Sequence, residues 1–169
     1  MIVQIRGTSG SGKTWLIYRL MKHFNAKPIL KENGKIEGYL LDHDIRVVGR
    51  YTTACGGMDT IKDKDEGARL VRKYADLGHV FFEGLIISGI WTRWYKVAQD
   101  YPGQYLWLFM DTPLEKCNEQ VMIRNGGKPV SMDNLKGKHR ASFLAHEKAV
   151  AAGEKAIWID HTRPWEHLL

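Results

Sequence analysis

Short apolar runs alternate along this chain with stretches whose apolar residues recur every three or four positions. Ile2-Val3-Gln4-Ile5, Val80-Phe81-Phe82 and Tyr105-Leu106-Trp107-Leu108-Phe109-Met110 are of the continuous kind, and Lys155 to Asp160 closes the series. Runs without polar alternation belong to strands covered on both faces, as in a parallel sheet. Between them, Trp15-Leu16-Ile17-Tyr18-Arg19-Leu20-Met21 continues as a helix that fades near Asn25. Ala68, Leu70, Val71, Tyr74, Ala75 and Leu77 mark a second helix over Glu66 to Leu77, with Gly78 placed to cap it. Leu85 to Val97 reads as a third. A fourth opens at Asp111-Thr112-Pro113, with Thr112 as the cap and Pro113 in the first position, and runs to Arg124. Asn134 to Ala152 and Pro164 to Leu169 complete the helices.

One segment departs from simple alternation. Pro28-Ile29-Leu30-Lys31, Ile36 to Leu41 and Ile45 to Val48 are short extended pieces, the first two divided by the turn signal Asn33-Gly34. The expected architecture is α/β. A parallel sheet carries helices on both faces and a small β-hairpin insertion. With no repeats and no linker, residues 1–169 are expected to form one domain.

The phosphate-binding signature G-x-x-x-x-G-K-[ST] occupies Gly7-Thr8-Ser9-Gly10-Ser11-Gly12-Lys13-Thr14, between the first strand and the first helix. In that setting, backbone N–H groups and the helix's positive end can cradle phosphates. Lys13 would reach the β- and γ-phosphates, and the Thr14 hydroxyl would ligate Mg²⁺.

Composition changes this picture little. A hydrophobic content of 44% and a charged content of 26% are ordinary for a globular chain. A net charge of +6 favours an anionic partner, although a nucleotide-binding protein can be this basic without touching nucleic acid. Two cysteines, Cys55 and Cys117, build neither a disulfide framework nor a four-ligand zinc site. No apolar stretch approaches the roughly 18 residues of a membrane span, and the N-terminus reads as a core strand. A soluble, cytoplasmic protein without membrane contact is expected.

Ligands of open parallel sheets sit at the carboxyl ends of the strands. Glu83 ends an apolar strand there; it can support the Mg²⁺ shell through a water, accept a proton from a hydroxyl, or simply cap the next helix. Asp111 reads as helix-start chemistry. Arg124, Lys128, Lys136, Lys138 and Arg140 surround the break between the last two long helices, the position of a lid over residues 124–140. Arg124, which ends a helix, is assigned to that lid; for the others a solvated basic surface is equally open. His161-Thr162-Arg163 could pack on an adenine. Trp91, Trp94, Tyr95 and Ala98 follow helical spacing, which makes core packing a better reading than a nucleic-acid surface. The loop Gly49 to Lys62 fits a functional or a passive role.

Several longer stretches carry a resemblance. Arg6 to Thr14, Gly49-Arg50-Tyr51, Cys55-Gly56-Gly57-Met58-Asp59-Thr60-Ile61-Lys62, Phe82-Glu83-Gly84-Leu85-Ile86-Ile87-Ser88, Asp111 to Cys117 and Pro129-Val130 occur in one order. In these the chain resembles small P-loop kinases, a P-loop NTPase fold of nucleotide-kinase type, and more specifically the phage 5-hydroxymethyluracil DNA kinases of thymidine hypermodification. No Asn-Lys-x-Asp element for guanine is present, so ATP is the expected donor. The resemblance implies transfer of the γ-phosphate to the hydroxymethyl group of 5-hydroxymethyl-deoxyuridine (5-hmdU) in DNA. Glu83 or Asp59 would be the base, Thr14 the Mg²⁺ anchor, and Lys13 with Arg124 the clamp. A kinase of free nucleosides or nucleotides would share nearly all these residues. A nucleotide-dependent switch protein is the third reading.

Overall fold

The computed structural model describes residues 1–163, so the terminal helix expected over Pro164 to Leu169 lies outside the described residues. Seven strands form one sheet: β1 (Ile2–Arg6), β2 (Lys27–Leu30), β3 (Ile36–Leu41), β4 (Ile45–Val48), β5 (His79–Glu83), β6 (Tyr105–Met110) and β7 (Lys155–Ile159). Their order is β2-β3-β4-β5-β1-β6-β7. From β4 through β7 the pairs are parallel, whereas β2-β3 and β3-β4 are antiparallel. The short extended pieces are therefore no separate excursion. They extend the main sheet as a meander, with Gly34 at φ +76° in the turn after β2.

Because side chains alternate along each strand, the sheet divides its apolar residues between two cores. Ile2, Phe82, Trp107 and Phe109 face one way, against Leu70, Val71 and Tyr74 of α2 (Lys64–Ala75), Trp94 and Val97 of α4 (Thr92–Asp100), and Ala145 and Ala149 of α6 (Met132–Ala151). Val3, Ile5, Phe81 and Leu108 face the other, against Leu16, Ile17 and Leu20 of α1 (Lys13–His23). The aromatic stripe of α4 packs as its spacing predicts: Trp94 is fully buried, and Trp91 stacks on Trp107 with ring centroids 4.8 Å apart.

Four boundaries differ from expectation. The helix begun at Leu85 stops at Ser88 (α3) and α4 starts only at Thr92. The cause is Arg6, fully buried at the end of β1, whose Nη2 donates to the Ser88 and Ile90 carbonyl oxygens and so diverts groups a continuous helix would use. Burial pulls the Arg6 guanidinium down to about 10, and it lies over the Trp107 ring. Next, α2 begins one turn earlier than its apolar stripe because the Asp63 side chain accepts from the Asp65 N–H. The same helix ends at Ala75, which leaves Leu77 exposed rather than packed. Finally, Thr112 does not cap α5 (Leu114–Arg124): Pro113 precedes that helix, and the Thr112 hydroxyl donates elsewhere.

Candidate active site

Gly7 to Thr14 form a loop from the end of β1 into α1, and Lys13 and Thr14 open the helix. No acidic side chain lies in the first turn of α1, and no side chain caps Gly12, so the positive helix end is left for a ligand. At Gly10 the need for glycine is steric as well as conformational. Its φ is +75°, and a Cβ there would stand 2.2 Å from the Cys117 carbonyl oxygen. The N-terminal half of α5 can thus press on the loop. Thr112 secures the same contact by donating its hydroxyl to the Ser11 carbonyl at 2.8 Å. The Lys13 ammonium is folded back onto the loop, donating to the Gly7 and Thr8 carbonyls at 2.9 Å each. Burial lowers its pKa, against the pull of Glu83 and Asp59.

Glu83 is set opposite by strand register. It ends β5, which pairs in parallel with β1 so that Glu83 lies beside Ile5. The carboxylate is 2% exposed, and its Oε1 accepts from the Thr14 hydroxyl at 3.0 Å. Burial pushes its pKa up to about 7; Lys13 and the Thr14 hydrogen bond work against that shift, and Asp59 adds to it. A buried carboxyl titrating near neutrality beside a hydroxyl and a phosphate loop can take up a proton at working pH.

Asp59 arrives from a distant part of the chain. It sits in a 3₁₀ turn, Met58–Thr60, and accepts from the Leu85 N–H at 2.7 Å and the Ile86 N–H at 3.1 Å. Its oxygens are thereby committed to the start of α3, a different employment from that of Glu83. Gly57 permits this approach: at φ +68°, a Cβ would stand 2.5 Å from the Glu83 carbonyl oxygen and 2.8 Å from its Oε1. The preceding loop closes where Arg50 and Gly57 form an isolated bridge.

The resulting cleft, about 290 Å³, brings together Lys13, Thr14, Asp59, Glu83 and Arg124, with Cys55 at its mouth. Of the other basic residues around the α5–α6 break, Lys138 borders an adjoining cavity. Lys128, Lys136 and Arg140 are exposed and border neither. The region expected to be a lid consists of the end of α5, a turn over 125–131 and the beginning of α6, where the Ser131 hydroxyl accepts from the Asn134 N–H.

Several residues of the site have roles that no sequence motif assigns. The buried Tyr51 hydroxyl lies against Glu83 without a well-formed hydrogen bond, and its pKa is pushed well up by burial and by that carboxylate. Tyr18 holds the loop by donating to the Tyr51 and Thr53 carbonyls, at 3.0 and 2.9 Å. Ser88 donates to the Gly84 carbonyl and accepts from the Gly7 N–H. An aromatic at position 51 and a glycine pair at 56–57 were the available signals, and neither names a partner. Asp111 is not helix-start chemistry: its Oδ1 accepts from the His161 N–H at 2.7 Å and meets His161 Nδ1 at 3.0 Å.

A strand-borne phosphate loop with a carboxylate ending the neighbouring strand is the arrangement of a P-loop NTPase. Comparison narrows that class. The model of the family described as 5-hmdU DNA kinase matches residues 1–150. The 5-hmdU DNA kinase of Pseudomonas phage M6 is 34% identical over 166 residues, covering 90% of this chain and 87% of that protein. The one from Pseudomonas phage PaMx11 is 36% identical over 172 residues, covering 94% and 90%. Among solved structures, deoxyadenosine kinase from M. mycoides with bound dATP gives a TM-score of 0.48 at 11% identity, covering 96% of this chain and 92% of that one. This chain belongs to the 5-hmdU DNA kinase family and is a phosphotransferase. None of the described helices is long and apolar enough to cross a membrane.

Proposed function

We propose that the protein transfers the γ-phosphate of ATP to the hydroxymethyl oxygen of 5-hmdU within DNA, giving 5-phosphomethyl-deoxyuridine. The observation that carries this reading is the Glu83 carboxylate, buried at the end of β5 and hydrogen-bonded to Thr14 at the mouth of the phosphate loop. A primary alcohol is a weak nucleophile and benefits from a base within reach of its proton. The names of the relatives supply the acceptor.

In the proposed step, the acceptor oxygen forms a bond to the γ-phosphorus while its proton passes to Glu83. The bond from that phosphorus to the β–γ bridging oxygen breaks, and ADP leaves with the electron pair. Loop N–H groups, Lys13 and Arg124 stabilise the charge on the transferring group. Lys13 must exchange its two carbonyl contacts for phosphate oxygens, which its flexible stem permits. Arg124, on the exposed end of α5, would close over the phosphates as part of a lid spanning 124–140. Asp59 serves better as the fixed acceptor that starts α3 than as a base, since both of its oxygens already hold backbone N–H groups.

The hard-oxygen pair of Thr14 and Glu83 suits Mg²⁺, which the Thr14 hydroxyl would hold with Glu83 supporting it through water. When bound, Mg²⁺ supplies charge neutralisation for the triphosphate. A uracil in duplex DNA has to be extruded, or met in a single strand, to reach a site at this depth.

The acceptor is decided by incubating the enzyme with γ-labelled ATP and either 5-hmdU-containing DNA or free 5-hydroxymethyl-dUMP. Label in the DNA is the expected result. Label in the mononucleotide with none in the DNA would move the protein to the free-nucleotide kinases.

A further inference from the structure

Beside the donor cleft lies a second cavity of about 350 Å³. Ser9 of the phosphate loop, Leu85 of α3 and Arg124 of α5 border both spaces, so the second is a side branch of the first. Its remaining polar wall comes from Asn125, Ser131, Asn134 and Lys138. No acidic residue lines it, whereas the basic walls of two other cavities hold paired carboxylates, Lys31 with Glu66 in one and Arg93 with Asp65 in the other. Neither Arg124 nor Lys138 forms an ion pair among the described residues. Two cations and several neutral hydrogen-bonding groups, opening onto the place where phosphate is handled, form a receptor for a second anion.

From this branch cavity we infer a binding site for a backbone phosphodiester of the acceptor DNA, next to the modified nucleotide, with Lys138 as its own cation and Arg124 shared with the donor cleft. The inference rests on the DNA-kinase reading and adds to it the means by which a polymer is told from a free nucleoside. A nucleoside has no phosphate to place there. A 5′-mononucleotide presents a phosphate monoester of the same chemistry but lacks the chain on its 3′ side. Lys138 is half-buried on α6 but belongs to neither apolar core, so its removal leaves both cores in place, and Ala suits a helix.

The test measures KM for a short single-stranded oligonucleotide with one 5-hmdU and for the free 5-hmdU 5′-mononucleotide, using wild type and Lys138→Ala. A second oligonucleotide set carries one neutral methylphosphonate, on the 5′ or the 3′ side of that nucleotide. Lys138→Ala is expected to raise KM for the oligonucleotide about tenfold and to leave KM for ATP within about twofold. It should also lower the slope of log KM against log salt by about 0.7, the loss of one single-strand phosphate contact. One of the two methylphosphonates should raise KM for wild type by a similar factor and have a smaller effect on the variant, where Arg124 alone faces the phosphate.

An unchanged oligonucleotide KM in Lys138→Ala would overturn the inference while the DNA-kinase reading stands. So would a methylphosphonate effect of equal size in both proteins, or a loss confined to the 5′-mononucleotide. Failure of wild type to label any oligonucleotide would remove the reading beneath it as well.

Discussion

The two halves of the cleft are built differently. On the donor side, Gly7 to Thr14 are contiguous in the chain and Lys13 folds back onto the loop itself, while Ser88, Thr112 and Glu83 brace it from outside. On the acceptor side nothing is contiguous. Asp59 reaches Leu85 and Ile86, Tyr18 reaches Tyr51 and Thr53, and Gly57 lies against Glu83. A local motif tolerates a changing neighbourhood because its geometry is carried by its own backbone. An assembled half depends on each long-range contact, and it is where specificity for an acceptor can be altered without disturbing phosphate binding.

If that contrast is sound, the largest loss comes from the donor half. Lys13→Ala should lower kcat by at least about 10³-fold with the fold intact, measured by phosphate transfer and circular dichroism. Full activity in that variant would remove the phosphate loop from the mechanism.

Glu83 links the halves, and its replacement tests both chemistry and stability. Glu83→Gln should cost 10²–10⁴-fold in kcat, the usual range for a lost general base. Asp59→Asn, which keeps one oxygen for the α3 amides, should cost much less. In wild type, kcat/KM should decline as the pH falls below about 7, since the base must be ionised to accept a proton, and Glu83→Gln should lose that limb of the profile. The stability sign runs the opposite way. A carboxyl whose pKa rises from 4.5 to about 7 on folding contributes fully below pH 4.5, and that contribution is lost as pH climbs through 7, by up to about 3 kcal/mol. The nucleotide-free Glu83→Gln protein should therefore melt higher than wild type at pH 8 and gain nothing at pH 4.

Within the acceptor half, Gly57→Ala places a Cβ at a positive φ and against Glu83, with an expected cost of about 1–3 kcal/mol in thermal unfolding together with reduced turnover. Tyr18→Phe is the mildest. Loss of the hydroxyl that holds Tyr51 and Thr53 should raise KM for the acceptor a fewfold, in line with a net hydrogen bond of about 1 kcal/mol, and leave KM for ATP unchanged. Equal effects on both KM values would show that the two halves are not separable.

Legibility in the sequence followed the same divide. The parallel strands, the phosphate loop and the apolar stripe of α4 could be read because period and motif are local properties of the chain. Even the acid at the end of β5 was visible, since an apolar run followed by Glu83 marks a strand end. The partner of that acid was not, because the 3.0 Å contact with Thr14 depends on β5 pairing beside β1. Boundaries failed where a remote side chain overrode local preference. Arg6 divides the α3–α4 segment from the end of β1, and Thr112 turns its hydroxyl to Ser11 instead of capping α5.

The sequence by itself determined where phosphate is handled: three glycines, a lysine and a threonine at fixed spacing mark one contiguous loop whose backbone suits phosphate. Tertiary structure alone decided what faces it. Strand order brought Glu83 next to Thr14 and buried it until its pKa neared 7, and side chains far apart in sequence positioned the loop from Tyr51 to Asp59. A carboxylate's proton affinity depends on the solvent and charges around it, and only the folded chain creates those surroundings.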